Sequence, residues 1–124
     1  MLWTTWIAVG SVMAGLGVAF GAFGAHALRT RLDAEDLAIF EIGVRYQMYH
    51  ALAIIACGLV ALRIDNAAVK AAAICFIAGV VIFSGSLYGL TLSGQRWLGM
   101  VTPIGGFALL AGWASLAFAV LKPT

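Results

Sequence analysis

Two histidines are the only side chains in the apolar part of this chain that bring ring nitrogens for ligation or proton transfer. His26 stands three residues before Arg29, and His50 five residues after Arg45. At about 1.5 Å per residue, each falls within roughly 5–8 Å of the same boundary between apolar and charged sequence. Two imidazoles at one depth on neighbouring antiparallel helices are an arrangement that ligates haem or a metal ion. Against this, two histidines do not close a metal site, and the sequence contains no CxxCH, no HExxH and no acidic relay inside an apolar run. The competing reading is structural: each imidazole fastens the bundle through a nearby hydroxyl or carbonyl, with Tyr88, Thr91 and Thr102 as partners.

Further polar residues collect around the same boundary. Ser84, Ser86, Tyr88, Thr91 and Ser93 climb one helix, and Gly94-Gln95-Arg96 makes a turn. Trp97 marks an interface, and Thr102-Pro103 opens the next apolar stretch. Glu41, Arg45, Tyr46 and Gln47 precede His50. The candidate polar cluster is therefore His26, Glu41, Arg45, Tyr46, Gln47, His50, Ser84, Ser86, Tyr88, Thr91, Arg96 and Thr102. Serine and threonine hydroxyls inside helices commonly bond the carbonyl four residues back, so this list holds packing residues as well as candidates for a polar pathway.

The elements that must position these residues follow from composition. Of 124 residues, 64% are apolar and only 10% charged, against about 25% charged in a soluble domain. Four uncharged runs, 1–28, 46–62, 71–95 and 97–121, each approach the roughly 20 residues that cross a bilayer. The apolar residues are continuous, not alternating, which points to helices and away from a barrel. The expected fold is all-α: one transmembrane domain over residues 1–124, with four antiparallel helices at about 2–28, 46–62, 67–93 and 98–121. Asp33, with Asp36 three residues on, reads as a helix N-cap. A short amphipathic helix is therefore expected at about 33–43, lying at the interface, with Gly43 marking a bend into the second span. Glu41 and Arg45 stand i, i+4 in the favourable order. Asn66 is a second N-cap candidate.

Small residues recur at helical spacing. Gly17 and Gly21 form GxxxG on the first helix, and Gly105 and Gly112 belong to a seam on the fourth. Such residues let helix backbones approach where lipid supplies little hydrophobic drive. The Gly15-x-Gly17-x-x-x-Gly21 string is not a nucleotide fingerprint, because no strand precedes it. Ala25-His26-Ala27 has the form of a cleavage site, but the preceding apolar stretch is too long for a signal peptide and is read as a retained helix. Cys57 and Cys75 read as small packing residues. A net charge of +2, scattered along the chain, excludes nucleic acid as a partner.

Four spans put the first and third connections on one side of the membrane, side Y, and the second connection on the other, side X. Arg29 and Arg31 follow the first helix and no basic residue precedes it, which favours side Y in the cytoplasm.

Four strings carry a resemblance over nearly the whole chain: Gly21-Ala-Phe-Gly-Ala-His26, Tyr46-Gln47 with His50-Ala51-Leu52, Phe83-Ser-Gly-Ser-Leu-Tyr88, and Thr102-Pro-Ile-Gly-Gly106. In this order they resemble the YgdD-like family of small four-helix bacterial inner-membrane proteins, which has a eukaryotic transmembrane branch. The resemblance implies a multi-pass protein of the inner membrane and brings no activity, cofactor or catalytic residue. The expectation is a non-enzymatic packing or interaction module without cofactor or metal. Its partners would be membrane lipid and either itself or a larger membrane complex. The alternatives are a small-ligand or transport pocket on side Y, and a haem- or metal-bearing electron carrier using His26 and His50.

Overall fold

A computed structural model describes residues 2–122. The chain folds into α1 (Trp3–His26), α2 (Ala34–Ala61), α3 (Ala67–Ser93) and α4 (Thr102–Leu121), with a short 3₁₀ helix, Arg96–Met100, ahead of α4. All four α-helices lie in segments long and apolar enough to cross a membrane. Local chemistry sets their ends. Asp33 accepts the Asp36 backbone N–H at 2.8 Å, and Asn66 accepts that of Val69 at 3.0 Å, so both caps satisfy donors that the helix leaves open. Gly94 ends α3 with φ at 75°, a left-handed conformation that costs glycine nothing.

The interfacial segment differs from the sequence expectation. No separate helix at 33–43 and no bend at Gly43 occur. Residues Ala34–Ala61 form one continuous helix of 28 residues, about 42 Å long. Gly43 is not a hinge: a Cβ there would sit 2.8 Å from Tyr88 Cε1. The glycine is kept small by α3 packed against it, and nothing in 34–46 interrupts the helical hydrogen bonds. The first three turns of α2, which carry Glu35, Asp36 and Glu41, extend past the apolar part of the span.

Consecutive helices pack as antiparallel neighbours, α1 on α2, α2 on α3 and α3 on α4. Backbones approach closely where glycine leaves out a side chain. A Cβ at Gly10 would meet the Ala51 carbonyl at 2.7 Å, and one at Gly58 the Trp3 carbonyl at 2.8 Å. Gly17 and Gly21 face Met48 and Val44 of α2. Gly105 lies against the Phe83 backbone, and Gly112 against the Phe76 ring. Gly17, Gly21, Gly105 and Gly112 thus each face a neighbouring helix of the same chain.

On α2, the residues against α1 (Val44, Met48, Ala51) and those turned toward α4 (Tyr46, His50) lie on either side of the stripe facing α3 (Gly43, Gln47). The central pair α2 and α3 therefore carries α1 on one side and α4 on the other. Trp6, at 2% exposure, belongs to the core with Ile54, Cys57, Val69 and Phe76.

Substituting Gly112 by Leu forces side-chain atoms into the Phe76 ring, where a Cβ alone would stand 2.6 Å from Cδ1. The expected cost is about 1–3 kcal/mol, read as a lowered thermal midpoint in detergent. Gly85→Leu is the control, because nothing lies within 4 Å of a Cβ there. Equal midpoints for the two variants would contradict the packing.

Candidate functional site

The polar residues singled out in the sequence do not form one cluster. Most fall into two buried groups, a set of shorter hydrogen bonds and an ion pair at the head of α2, and His26, Glu41 and Arg45 join none of them.

The first group joins three helices. Gln47 of α2 is 4% exposed. Its Nε2 donates to the Met13 carbonyl of α1 at 2.8 Å, and its Oε1 accepts from the Tyr88 hydroxyl of α3 at 2.6 Å. Gly17, one turn after Met13, faces the same side chain: a Cβ there would make ordinary contact, 3.7 Å from Gln47 Nε2. The Tyr88 ring is held between Phe20 and Phe40, with centroids 5.3 and 5.0 Å away. Ser84, one turn before Tyr88, donates to the Gly43 carbonyl at 2.6 Å.

The second group joins α2 to α4. Trp113 Nε1 donates to His50 Nε2 at 3.0 Å, and His50 Nδ1 lies 2.7 Å from the Tyr46 carbonyl. An indole nitrogen can only donate, so Nε2 accepts, and the proton of the neutral ring sits on Nδ1, which donates to the carbonyl. Both ring nitrogens are thus occupied. His50 is 5% exposed and packs against Phe76 and Trp113.

The remaining hydroxyls bond locally or across α3 and α4. Ser86 and Thr102 share a hydrogen bond of 2.5 Å, Thr91 donates to the Leu87 carbonyl at 2.9 Å, and Ser93 bonds the Gly89 carbonyl. Arg96 makes a two-pronged ion pair with Asp36, at 2.8 and 2.9 Å, tying the third connection to the head of α2. Both residues lie outside the four uncharged runs, and the hydrogen bond from Arg96 holds the Asp36 carboxyl below its ordinary range. Glu41 and Arg45 are exposed and form no ion pair with each other, despite their spacing.

The sequence reading placed His26 and His50 at one depth, and the structure corrects this. On the α1/α2 interface Gly10 faces Ile55, Gly17 faces Met48 and Gly21 faces Val44. In that register His50 is level with Gly15, and the eleven residues from there to His26 span about 17 Å. His26 is exposed at the end of α1. The expectation placed the start of the second helix at Tyr46. The helix begins three turns earlier, which moves His50 into the middle of it. No three His, Cys, Asp or Glu side chains converge among the described residues.

Between α2, α3 and α4 lies a lateral groove of about 450 Å³. Tyr46, His50, Phe83, Pro103, Phe107 and Trp113 line most of it, with Gly106 and Leu110 in the α4 wall. Tyr46 stacks on Phe83 at 4.7 Å. Trp113 was missed in the sequence reading. Its signal was a fourth tryptophan far from either end of an apolar run, where its N–H requires a buried partner.

The fold and these contacts define a multi-pass α-helical membrane protein whose buried polar groups join its helices. A family model described as a protein of unknown function, DUF423, matches residues 20–106. The chain belongs to that family. It is 42% identical over 105 residues to a UPF0382 membrane protein of Haemophilus influenzae, covering 85% of this chain and 84% of that one. It is 41% identical over 116 residues to a UPF0382 membrane protein of Staphylococcus epidermidis, covering 94% of each. It is 38% identical over 105 residues to the UPF0382 inner membrane protein YgdD of Escherichia coli, covering 85% of this chain and 80% of that one. No solved structure matches the chain.

The two histidines now have different expected phenotypes. His50→Ala strands the Trp113 N–H in an apolar setting and should cost about 1–3 kcal/mol. His26→Ala, at an exposed position, should leave stability unchanged. Thermal denaturation of both variants in one detergent checks this, and equal losses would contradict the assignment.

Proposed function

We propose that the protein is a non-enzymatic interaction module of the cell inner membrane, holding a fixed set of helix surfaces toward a second copy or a larger membrane complex. The observation that carries this reading is the use made of its polar side chains. Among the described residues, no buried side-chain nitrogen or oxygen lacks a hydrogen-bond partner. Those on the candidate list either join helices or bond within one. Large apolar side chains are exposed along the spans: Val12 and Val18 on α1, Val81 on α3, and Phe107, Leu110 and Phe118 on α4. The Escherichia coli relative is an inner membrane protein by name, which supports placement in the inner membrane.

A photoreactive residue placed in turn at Gly15, Gly85, Leu110 and Phe118 in living cells tests the reading. Discrete protein adducts confined to one helix face are expected. Lipid adducts alone at all four positions would sink it.

Orientation forms part of the proposal. Arg29 and Arg31 directly follow α1, which favours side Y in the cytoplasm. A reporter fused after α4 and active only outside the cytoplasm should then give signal. Activity of a cytoplasm-only reporter at the same point would reverse the orientation.

A second reading is favoured by one observation. The groove between α2, α3 and α4 reaches from the side-Y end of α4 at Pro103 to Trp113, and its size lies in the range of roughly 300–1,000 Å³ common to ligand sites. On that reading the chain also binds a small apolar ligand.

A further inference from the structure

We propose that the outer face of α2 is the contact surface for a second copy of the chain, with Arg45 of each copy paired to the partner's Glu41. The inference rests on the interaction reading above. It names the partner and a face that the four photoreactive positions do not sample.

The face follows from the turn of the helix. On α2, Gly43 is turned to α3, and Val44 and Met48 to α1. At about 3.6 residues per turn, Glu41 and Arg45 lie roughly 160° and 200° around the helix from Gly43. They therefore stand on the side opposite α3, and both are exposed. Tyr49, Leu52 and Leu59 are exposed along the same side. Together with Arg45 and Ala56 they recur at spacings of four and three, the period at which two helices pack side by side. Side chains turned to lipid are apolar as well, so this stripe alone selects no partner.

The charges select it. Glu41 and Arg45 are opposite in sign and one turn apart, a spacing that suits a pair within the helix. Neither has an ion pair among the described residues. Arg29 borders the same surface depression as Glu41 without pairing with it. Arg96, by contrast, is held by Asp36. A lipid phosphate at this face would answer Arg45 and be repelled by Glu41. A face that carries both signs is its own complement, which is what a contact across a two-fold axis requires.

Two copies inserted in the same direction are related by an axis along the membrane normal, and equal residues then lie at equal depth. The partner's Glu41 stands about 6 Å toward side Y from Arg45, four residues of helical rise. That is the direction of water, in which an arginine at the edge of a span extends. The two arginines and two glutamates sum to zero charge. Such pairs set depth and register more than affinity, while Tyr49, Leu52 and Leu59 supply the apolar contact deeper in the membrane.

The test is thiol cross-linking of the full chain in native membranes, with Cys57→Ala and Cys75→Ala as background. Leu52→Cys is expected to give a dimer with a short bifunctional thiol reagent. Val12→Cys on α1 and Val81→Cys on α3, equally open positions, should give none. Added to Leu52→Cys, Glu41→Arg and Arg45→Glu should each lower the dimer yield severalfold. Neither of these chains keeps opposite charges at the two positions. Co-expressed under different tags, the two should cross-link to each other as well as the unaltered pair does, a rescue that only contact between chains can produce. Thermal midpoints in detergent show that each variant is folded. Should Cys57→Ala fail to fold, Cys57 is kept, because it is buried from the reagent.

Absence of the Leu52→Cys dimer overturns the proposal, and so does an equal dimer at Val12→Cys or Val81→Cys. Unchanged yield in both charge variants, or no gain in the mixed pair, overturns it too. If Leu52→Cys is captured by a different protein, the choice of a second copy is overturned while the interaction reading stands. No dimer here, with lipid adducts alone at the four photoreactive positions, removes both.

Discussion

In a bilayer, two apolar helices gain almost nothing by leaving lipid for each other, because lipid tails are as apolar as leucine. Everything in this structure answers to that constraint. What is left to drive association is close van der Waals contact and the satisfaction of polar groups. Close contact requires missing side chains. Gly10 and Gly58 put α1 within reach of the α2 backbone, and Gly79 and Gly105 do the same for α3 and α4. The polar groups then lie where backbones are near enough to be bonded. Gln47 reaches the Met13 carbonyl of another helix in the stretch where Gly17 faces it.

Gln47 shows why the polar residues are so fully used. A primary amide in hydrocarbon has donors and acceptors that water cannot serve, and an unmade bond there is expensive. The Met13 carbonyl and the Tyr88 hydroxyl each take one end of it, so three helices are fixed by one side chain. His50 follows the same logic with two nitrogens and two partners. A residue type that suggests reactivity in water is, at this depth, first a bonding problem to be solved. The solution here leaves the imidazole neutral and both of its nitrogens engaged.

Much of the architecture was legible from the order of residues alone. Four apolar runs of spanning length, two N-caps at Asp33 and Asn66, the Gly94 turn and the Gly105/Gly112 seam follow from local chemistry, which a single sequence carries. Positions that depend on register between helices were not legible in the same way. The sequence reading ended the second span at Tyr46 because charge stops there, yet a helix does not end where its hydropathy changes. α2 runs on to Ala34, and that shift alone separates His26 from His50. The Asp36–Arg96 pair, sixty residues apart, was hidden for the same reason. So was the choice of partner for His50, since hydroxyls at assumed depths were weighed and an indole on α4 was not.

The arrangement of α1 and α4 on opposite sides of the central pair bears on what such a small protein can offer. A closed four-helix bundle would bury one face of every helix and present a smooth outer wall. Here α2 and α3 are covered on more of their circumference than α1 and α4, and a concave strip remains between α2 and α4 over α3. That strip is held open from below by the His50–Trp113 bond, which fixes how far the middle of α4 stands from α2. At its charged end, the Asp36–Arg96 pair fixes the turn that feeds α4. The same polar contacts that stabilise the fold therefore define the shape of its lipid-facing surface. In the reading proposed here function belongs to that shape, because the side chains able to do chemistry are those that maintain it.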